Sequence, residues 1–403
     1  MESNHFKFIK YLMLFSGTWR LKLESGSRIR QVCYNVYSSC IQGYFCLFVV
    51  SLFMQLPVVW KESKAKTFEN LSISIFCMIM LMKSIMSQSE RITTLLKDML
   101  EAERAIIATS NEVDKRIYYD QVEYTNRINL SLTLYTYGLV GIPLIMLNYI
   151  SYLQFEKTHI LTNTTESKPL PYVSWFPFDS DEYYFVAFGM DSVAAFMGST
   201  YNCLVQLFFI AIMTFVIGRL RILQEHFRNF DEIDEFGENI GGESGTDRNE
   251  DHDVLKNLKR LILEHMEIIG CVKKLDDSTK YLLLLEFLMN SFQIASLLVQ
   301  LLTMERSILI LFTLSYLLMV TYQIFLLAWH GNEIKEQSLE LSNALYESRW
   351  YEHSVAVKKC IHLMMLRSQR PLTLQIGPFY PMTMSTALST VKAGYSYVTI
   401  LRK

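Results

Sequence analysis

Along this chain the apolar residues gather into blocks of about twenty, and charged segments separate one block from the next. In order the blocks run over 32–60, 68–88, 128–153, 183–217, 281–303, 308–329 and 381–401. At ~1.5 Å per residue, helices of that length cross the ~30 Å of hydrocarbon in a bilayer. The pattern predicts an all-α membrane protein with seven transmembrane helices, the last being the most polar.

Between the blocks, apolar positions return with helical period. Leu255, Leu258, Ile262, Ile269 and Val272 do so ahead of the fifth block, and "STKYLLLL" enters that block without a Pro or Gly. The fifth helix is therefore expected to continue beyond the membrane. Amphipathic runs also follow the second block ("RITTLLKDMLEAERAII") and the sixth ("NEIKEQSLELSNALYESRWYEHSVAVKKCIHLMML"), and together these extensions predict a packed anchor of helices. The expected divisions are an N-terminal segment at 1–31, six spans within 32–330, anchor helices at 331–380 and the last span at 381–403. Within the second set, 231–253 is acidic and Gly-rich, has too little apolar surface to fold, and is expected to be disordered. It lacks the alternating ligand spacing of a calcium loop, so no metal is expected there.

Composition agrees with the pattern, at 51% hydrophobic and 19% charged residues. Orientation follows from Lys and Arg. The N-terminal segment and the segments 89–127, 218–280 and 330–380 hold 28 of the 38 basic residues, which places the N-terminus in the cytosol and the C-terminus outside. That is the reverse of a G-protein-coupled receptor. The opening "MESNHFKFIKYLMLFSGTWRLK" has a short apolar core broken by Lys7 and Lys10 and no small-residue cleavage site, so the first span is expected to act as the targeting signal. No cysteine falls where an extracellular disulfide would form. Asn163 in "LTNTTES" heads a glycosylation sequon on the outer side; Asn70 and Asn129 also head sequons, but at or inside span ends.

Signatures of catalysis and of cofactor binding are missing, including a P-loop, G-x-S-x-G and a dinucleotide fingerprint. His353 and His362 lie nine residues apart in a charged helical run and read as solvated surface, not as a metal pair. The net charge of −2 carries no basic footprint for nucleic acid. Internal repeats of the kind transporters carry are not found.

The most specific signal lies from residue 329 onward. It comprises "GNE" after the sixth span, then L-x-x-A-x-Y-x-x-x-W within "LSNALYESRW", then "RSQRPL", and a terminal "SYVTILR". These resemble the C-terminal signature of the insect odorant receptors, densely over about 75 residues and more loosely elsewhere. The related gustatory receptors end in T-Y-x-x-x-x-x-Q-F, where this chain has Ser396, Tyr397 and Arg402. A homomeric channel of that branch is the alternative reading. The family's co-receptor has a longer second cytosolic loop, so the resemblance is to a tuning subunit.

The resemblance implies a ligand-gated cation channel in the plasma membrane of olfactory neurons, a tetramer with the co-receptor whose last helices line the pore. Ser385, Ser389, Lys392, Ser396, Thr399 and Lys403 form one stripe of the last helix, opposite Ala387, Val391, Gly394, Val398 and Leu401. The stripe is expected to face the pore, with Ile400, about 60° from its centre, as the dry constriction. Lys403 at the outer mouth would repel cations unless it points to solvent or the tuning subunits are few. The resemblance further implies a small hydrophobic odorant enclosed by the outer halves of spans two to six. The expected lining is Phe76, Ile79, Tyr137, Gly141, Ile145, Phe188, Phe196, Met197, Phe292 and Ala295, with a kink at Gly141 and Pro143 giving room. Charges within spans are expected to be occupied: Asp191 by a ligand hydroxyl or a backbone donor, Glu286 by an anchor cation, Lys83 by snorkelling to the cytosolic interface, and Lys392 by a structural pairing.

Overall fold

The computed structural model describes residues 4–19, 28–62, 64–109, 111–162, 168–231, 247–303 and 308–401. Asn163, Arg402, Lys403 and most of the acidic stretch, 232–246, lie outside the described residues. The chain is predominantly helical, in the order α1 (Lys7–Phe15), α2 (Arg28–Glu62), α3 (Lys64–Ser87), α4 (Glu90–Ala108), α5 (Glu112–Tyr135), α6 (Ile142–Thr162), α7 (Tyr184–Arg228), α8 (Asp247–Thr303), α9 (Ile308–Glu347), α10 (Val355–Ser368) and α11 (Met384–Leu401).

Among the described residues, six segments are long and apolar enough to cross a membrane: Arg28–Lys61, Asn70–Ser87, Glu112–Lys157, Tyr184–Arg228, His252–Leu302 and Ile310–Glu347. They correspond to the first six predicted blocks, and their ends reveal how far each helix overruns the bilayer. α8 runs without interruption for 57 residues, as the unbroken approach through "STKYLLLL" predicts. α7 is the central post: 94% of its most apolar window is buried inside the protein, against 22% for the segment that holds α5 and α6. The rest of the bundle wraps around α7, and the other spans turn apolar side chains such as Leu47, Leu134 and Leu311 outward, as lipid contact requires. The seventh block folds as the 18-residue α11.

A π-helical turn, Thr136–Gly141, separates α5 from α6. Pro143 has no N–H to offer the carbonyl one turn back, and the hydrogen-bond ladder widens just before it. Gly141 then lets the helix close on α7: a Cβ there would sit 3.1 Å from Ser199 Oγ.

At the charged end of the bundle, ion pairs tie neighbouring helices in register. They include Arg219–Glu267 at 3.2 Å, Arg221–Glu333 at 3.0 Å, Arg228–Glu347 at 2.9 Å and Lys274–Asp98 at 2.9 Å. α1 docks here by burying Phe6, Ile9 and Met13. The expected helical anchor at 331–380 is interrupted: a short 3-10 turn at Trp350–Glu352 separates α9 from α10, and a two-stranded hairpin pairs Gln375–Ile376 with Tyr380–Pro381. The hairpin is fixed to α8, because the Gln375 N–H donates to Asp276 Oδ1 at 2.6 Å and the Gly377 N–H to the Lys280 carbonyl at 2.8 Å. It sets the start of α11.

Candidate functional site

The end of the bundle away from these ion pairs is closed by the segment 168–183, which lies across the helices as a strap. Contacts from four side chains or backbone groups hold it among the described residues. Asn70 Nδ2 donates to the Val173 carbonyl at 2.7 Å, the Trp175 N–H to the Ser51 carbonyl at 3.2 Å, and the Tyr184 hydroxyl to the Pro169 carbonyl at 2.8 Å. Asp191 of α7, 1% exposed, is the fourth: it accepts from Ser174 Oγ at 2.7 Å and from the Tyr172 N–H at 3.3 Å. Of the two roles expected for this carboxylate, the structure shows the backbone-donor role. Asn70 is thus a structural side chain within the bundle.

The strap directs Tyr172 inward. Its ring lies 5.3 Å from that of Phe48, and it packs against a cluster of Phe45, Phe48, Val49, Leu52, Cys77, Met80, Ala194 and Tyr201. Burial above all, then the nearby Cys77, Tyr316 and Asp191, hold its hydroxyl pKa well above the usual 10.0. Of the expected lining residues, Phe76 and Met197 join this cluster.

A second group forms at the π turn. Tyr137 donates to Thr200 Oγ1 at 2.7 Å and sets its ring 5.5 Å from Phe196, which meets Phe15 edge-on at 6.3 Å. Gly141 is adjacent, and Ile145 lies half-buried a turn further along. Phe188 stands apart from both groups, among Tyr149 and Tyr184 at 6.1 and 5.8 Å. Ile79 is 1% exposed, as a packing residue is, while Phe292 and Ala295 sit on α8 on either side of Gln293. The expected residues therefore divide among neighbourhoods, and the structure adds Tyr172, Gln293 and Tyr316 to the first. Sequence periodicity gives no means of finding these three, because each meets its neighbours only through contacts between elements.

Two charges within the spans depart from expectation. Lys83 does not snorkel, and Glu286 does not take an anchor cation: they pair with each other between α3 and α8, at 1% and 8% side-chain exposure. The position of Lys83, facing the bundle and not its rim, leaves its stem no route to the interface. Lys392, by contrast, is exposed.

α11 divides along its length as its pattern predicts. Ser385, Ser389, Lys392 and Ser396 are exposed, whereas Ala387, Gly394 and Val398 are buried. Gly394 permits the closest approach, since a Cβ would lie 2.8 Å from Ile294 Cγ2 and 2.9 Å from the Ser291 carbonyl of α8. Thr399 and Ile400 fall in the last turn of the helix.

Comparison with known proteins places this architecture. The family model for the 7tm odorant receptor matches residues 64–395. The chain is 33% identical over 196 residues to odorant receptor 10 of Aedes albopictus, covering 49% of each protein. It is 32% identical over 167 residues to odorant receptor Or2 of Anopheles gambiae, covering 41% of this chain and 44% of that one. The matched stretch thus spans about half or less of these two curated relatives. Among solved structures, the insect olfactory receptor OR5 from Machilis hrabei in complex with eugenol superposes with a TM-score of 0.78 over 98% of this chain and 96% of that one, at 18% identity. A second structure of that receptor gives 0.73 at 17% identity. At such identity the likeness is one of fold.

Proposed function

Since the chain belongs to the 7tm odorant receptor family, a family of multi-pass membrane receptors and not of enzymes, we propose that it is the odorant-binding subunit of a ligand-gated cation channel. In this reading α11 is the seventh span, the N-terminus lies in the cytosol and the C-terminus outside, following the excess of Lys and Arg on one side. A small hydrophobic volatile occupies the space under the strap, held by dispersion against Phe76, Met197, Phe292 and their neighbours. The groups around Tyr137, Gly141 and Ile145 and around Phe188 border its path. Asn163, on the outer side, carries a glycan.

The observation that carries the reading is α11, where an exposed row of Ser385, Ser389, Lys392 and Ser396 backs onto a buried face tight enough to require Gly394. In a tetramer with the co-receptor at the plasma membrane, four such rows surround a water-filled path, and Ile400 closes it by excluding water. Expression with and without the co-receptor, a Met1 epitope stained before and after permeabilisation, and a panel of volatiles test it. Odorant-evoked current is expected from the pair, with the tag reached only after permeabilisation. Staining of intact cells contradicts the orientation, and an equal current from this chain alone contradicts the need for a partner.

A further inference from the structure

Beneath the strap, polar groups from separate elements converge in an otherwise apolar space. Gln293 of α8, 5% exposed, donates through Nε2 to the hydroxyl oxygen of Tyr316 on α9. The other end of the same amide, Oε1, is buried and has no partner among the described residues. Tyr316 lies within electrostatic reach of Cys77 on α3, and Tyr172 of the strap within reach of both. Side chains from four elements therefore lie near one another. Tyr172, Tyr316 and Phe292 are each part-buried, so the protein leaves some of their surface uncovered beside the buried Gln293 amide.

The hydrogen-bonding capacity left over at Gln293 and Tyr316 is specific. Tyr316 oxygen already accepts from Gln293, so its hydroxyl hydrogen remains to be donated. Gln293 Oε1 remains to be donated to. A buried amide oxygen left without a donor is unfavourable, and interiors satisfy such groups with protein, water or ligand. We propose that Gln293 and Tyr316 form the polar end of the odorant site and select neutral volatiles that carry a hydroxyl group. This rests on the reading of the bundle as an odorant site and deepens it.

A hydroxyl satisfies both groups at once: its O–H donates to Gln293 Oε1 while its oxygen accepts from the Tyr316 O–H. With the existing Gln293 to Tyr316 bond, the three form a closed ring. An ether or a ketone accepts from Tyr316 but leaves Oε1 unpaired, and a hydrocarbon leaves both unpaired. Ionised volatiles are disfavoured. Asp191, the acidic side chain near Tyr172, is already engaged by Ser174 and the Tyr172 N–H, so it is not free to balance an ammonium.

The test uses the full chain co-expressed with the co-receptor and a panel of aliphatic and aromatic alcohols, each paired with its methyl ether and its parent hydrocarbon. In the unmodified receptor, alcohols are expected to reach half-maximal current at concentrations about tenfold or more below their ethers, the ratio one hydrogen bond supplies. Gln293→Met, which keeps length and removes the acceptor, is expected to erase the advantage of alcohols over ethers. Tyr316→Phe, which removes one oxygen, is expected to weaken both and leave hydrocarbons unchanged. Surface labelling shows that each variant is delivered, and Tyr316→Phe carries the test if Gln293→Met is not. Equal shifts for alcohols, ethers and hydrocarbons, or hydrocarbons as potent as alcohols in the unmodified receptor, overturn the inference alone. A receptor at the surface that answers no member of the panel contradicts both the inference and the odorant-site reading.

Discussion

Lys83 and Glu286 give the most quantitative test of how the bundle is held. The ammonium and carboxylate pair between α3 and α8 at 1% and 8% side-chain exposure, and Glu286 Oε2 has no hydrogen-bond partner among the described residues. At an effective dielectric of about 20, a contact pair gains ~4 kcal/mol, which roughly offsets the cost of withdrawing both charges from water. The pair therefore adds little net stability while intact. Removing one member is different, because it strands the other charge at a cost of about 3–5 kcal/mol. Against a total stability of ~5–15 kcal/mol, such a loss lowers the ratio of folded to unfolded protein by about two orders of magnitude or more. Lys83→Met and Glu286→Gln are each expected to melt earlier in detergent and to reach the surface poorly, whereas Lys83→Met combined with Glu286→Met recovers both. Fluorescence-detected thermal aggregation and surface labelling read these outcomes. Single variants that behave like the parent, or a double variant no better than either single, refute the reasoning.

Gly394→Ala is expected to force α11 off Ile294 and Ser291, costing about 1–3 kcal/mol by overpacking and lowering the yield of assembled receptor on native gels. Asp191→Ala frees Ser174 and the Tyr172 N–H, and the loss of two hydrogen bonds worth about 0.5–1.5 kcal/mol each is expected to speed proteolysis within 168–183 and weaken odorant responses together. At the opposite end, His5 Nε2 lies 3.0 Å from the Ala211 carbonyl, and the His5 backbone N–H donates to Glu103 Oε1 at 2.9 Å; burial, opposed by that carbonyl and by Glu103, lowers the imidazole pKa below 6.5. The unfolded segment takes up a proton first, so docking of the N-terminus is complete above about pH 6.5 and weakens as pH falls toward the depressed value. Hydrogen exchange of residues 5–16 is expected to accelerate on acidification in the parent and not in His5→Gln.

Much of this fold is legible from the chain because a bilayer leaves few choices. Backbone polar groups must be satisfied within each segment, so an apolar block of sufficient length becomes a helix. Pro143 and Gly141 likewise announce the distortion between α5 and α6, and the unbroken run into "YLLLL" announces α8. The hairpin at 375–381 is hidden because its strands are two residues long and owe their place to Asp276 and Lys280 on α8. The pairing of Lys83 with Glu286 is equally non-local. Residue type and depth show that each needs a partner, and only the packing of α3 on α8 says which. The candidate site follows the same division. Apolar character marks Phe76 and Met197, but a polar Gln293 in a span is silent until Tyr316 is brought beside it. The stripe of α11 from Ser385 to Ser396 is readable because one helix carries those residues.

The account's central claim is that ligand binding within this bundle opens a pore formed by α11, and recording from excised membrane tests it most directly. Outside-out patches from cells expressing this chain with the co-receptor, in solutions free of nucleotide, are exposed to an activating volatile. The account predicts a prompt cation current that persists without cytosolic factors and whose ligand-free level rises in Ile400→Ala. A response lost on excision and restored by adding G protein and nucleotide contradicts it.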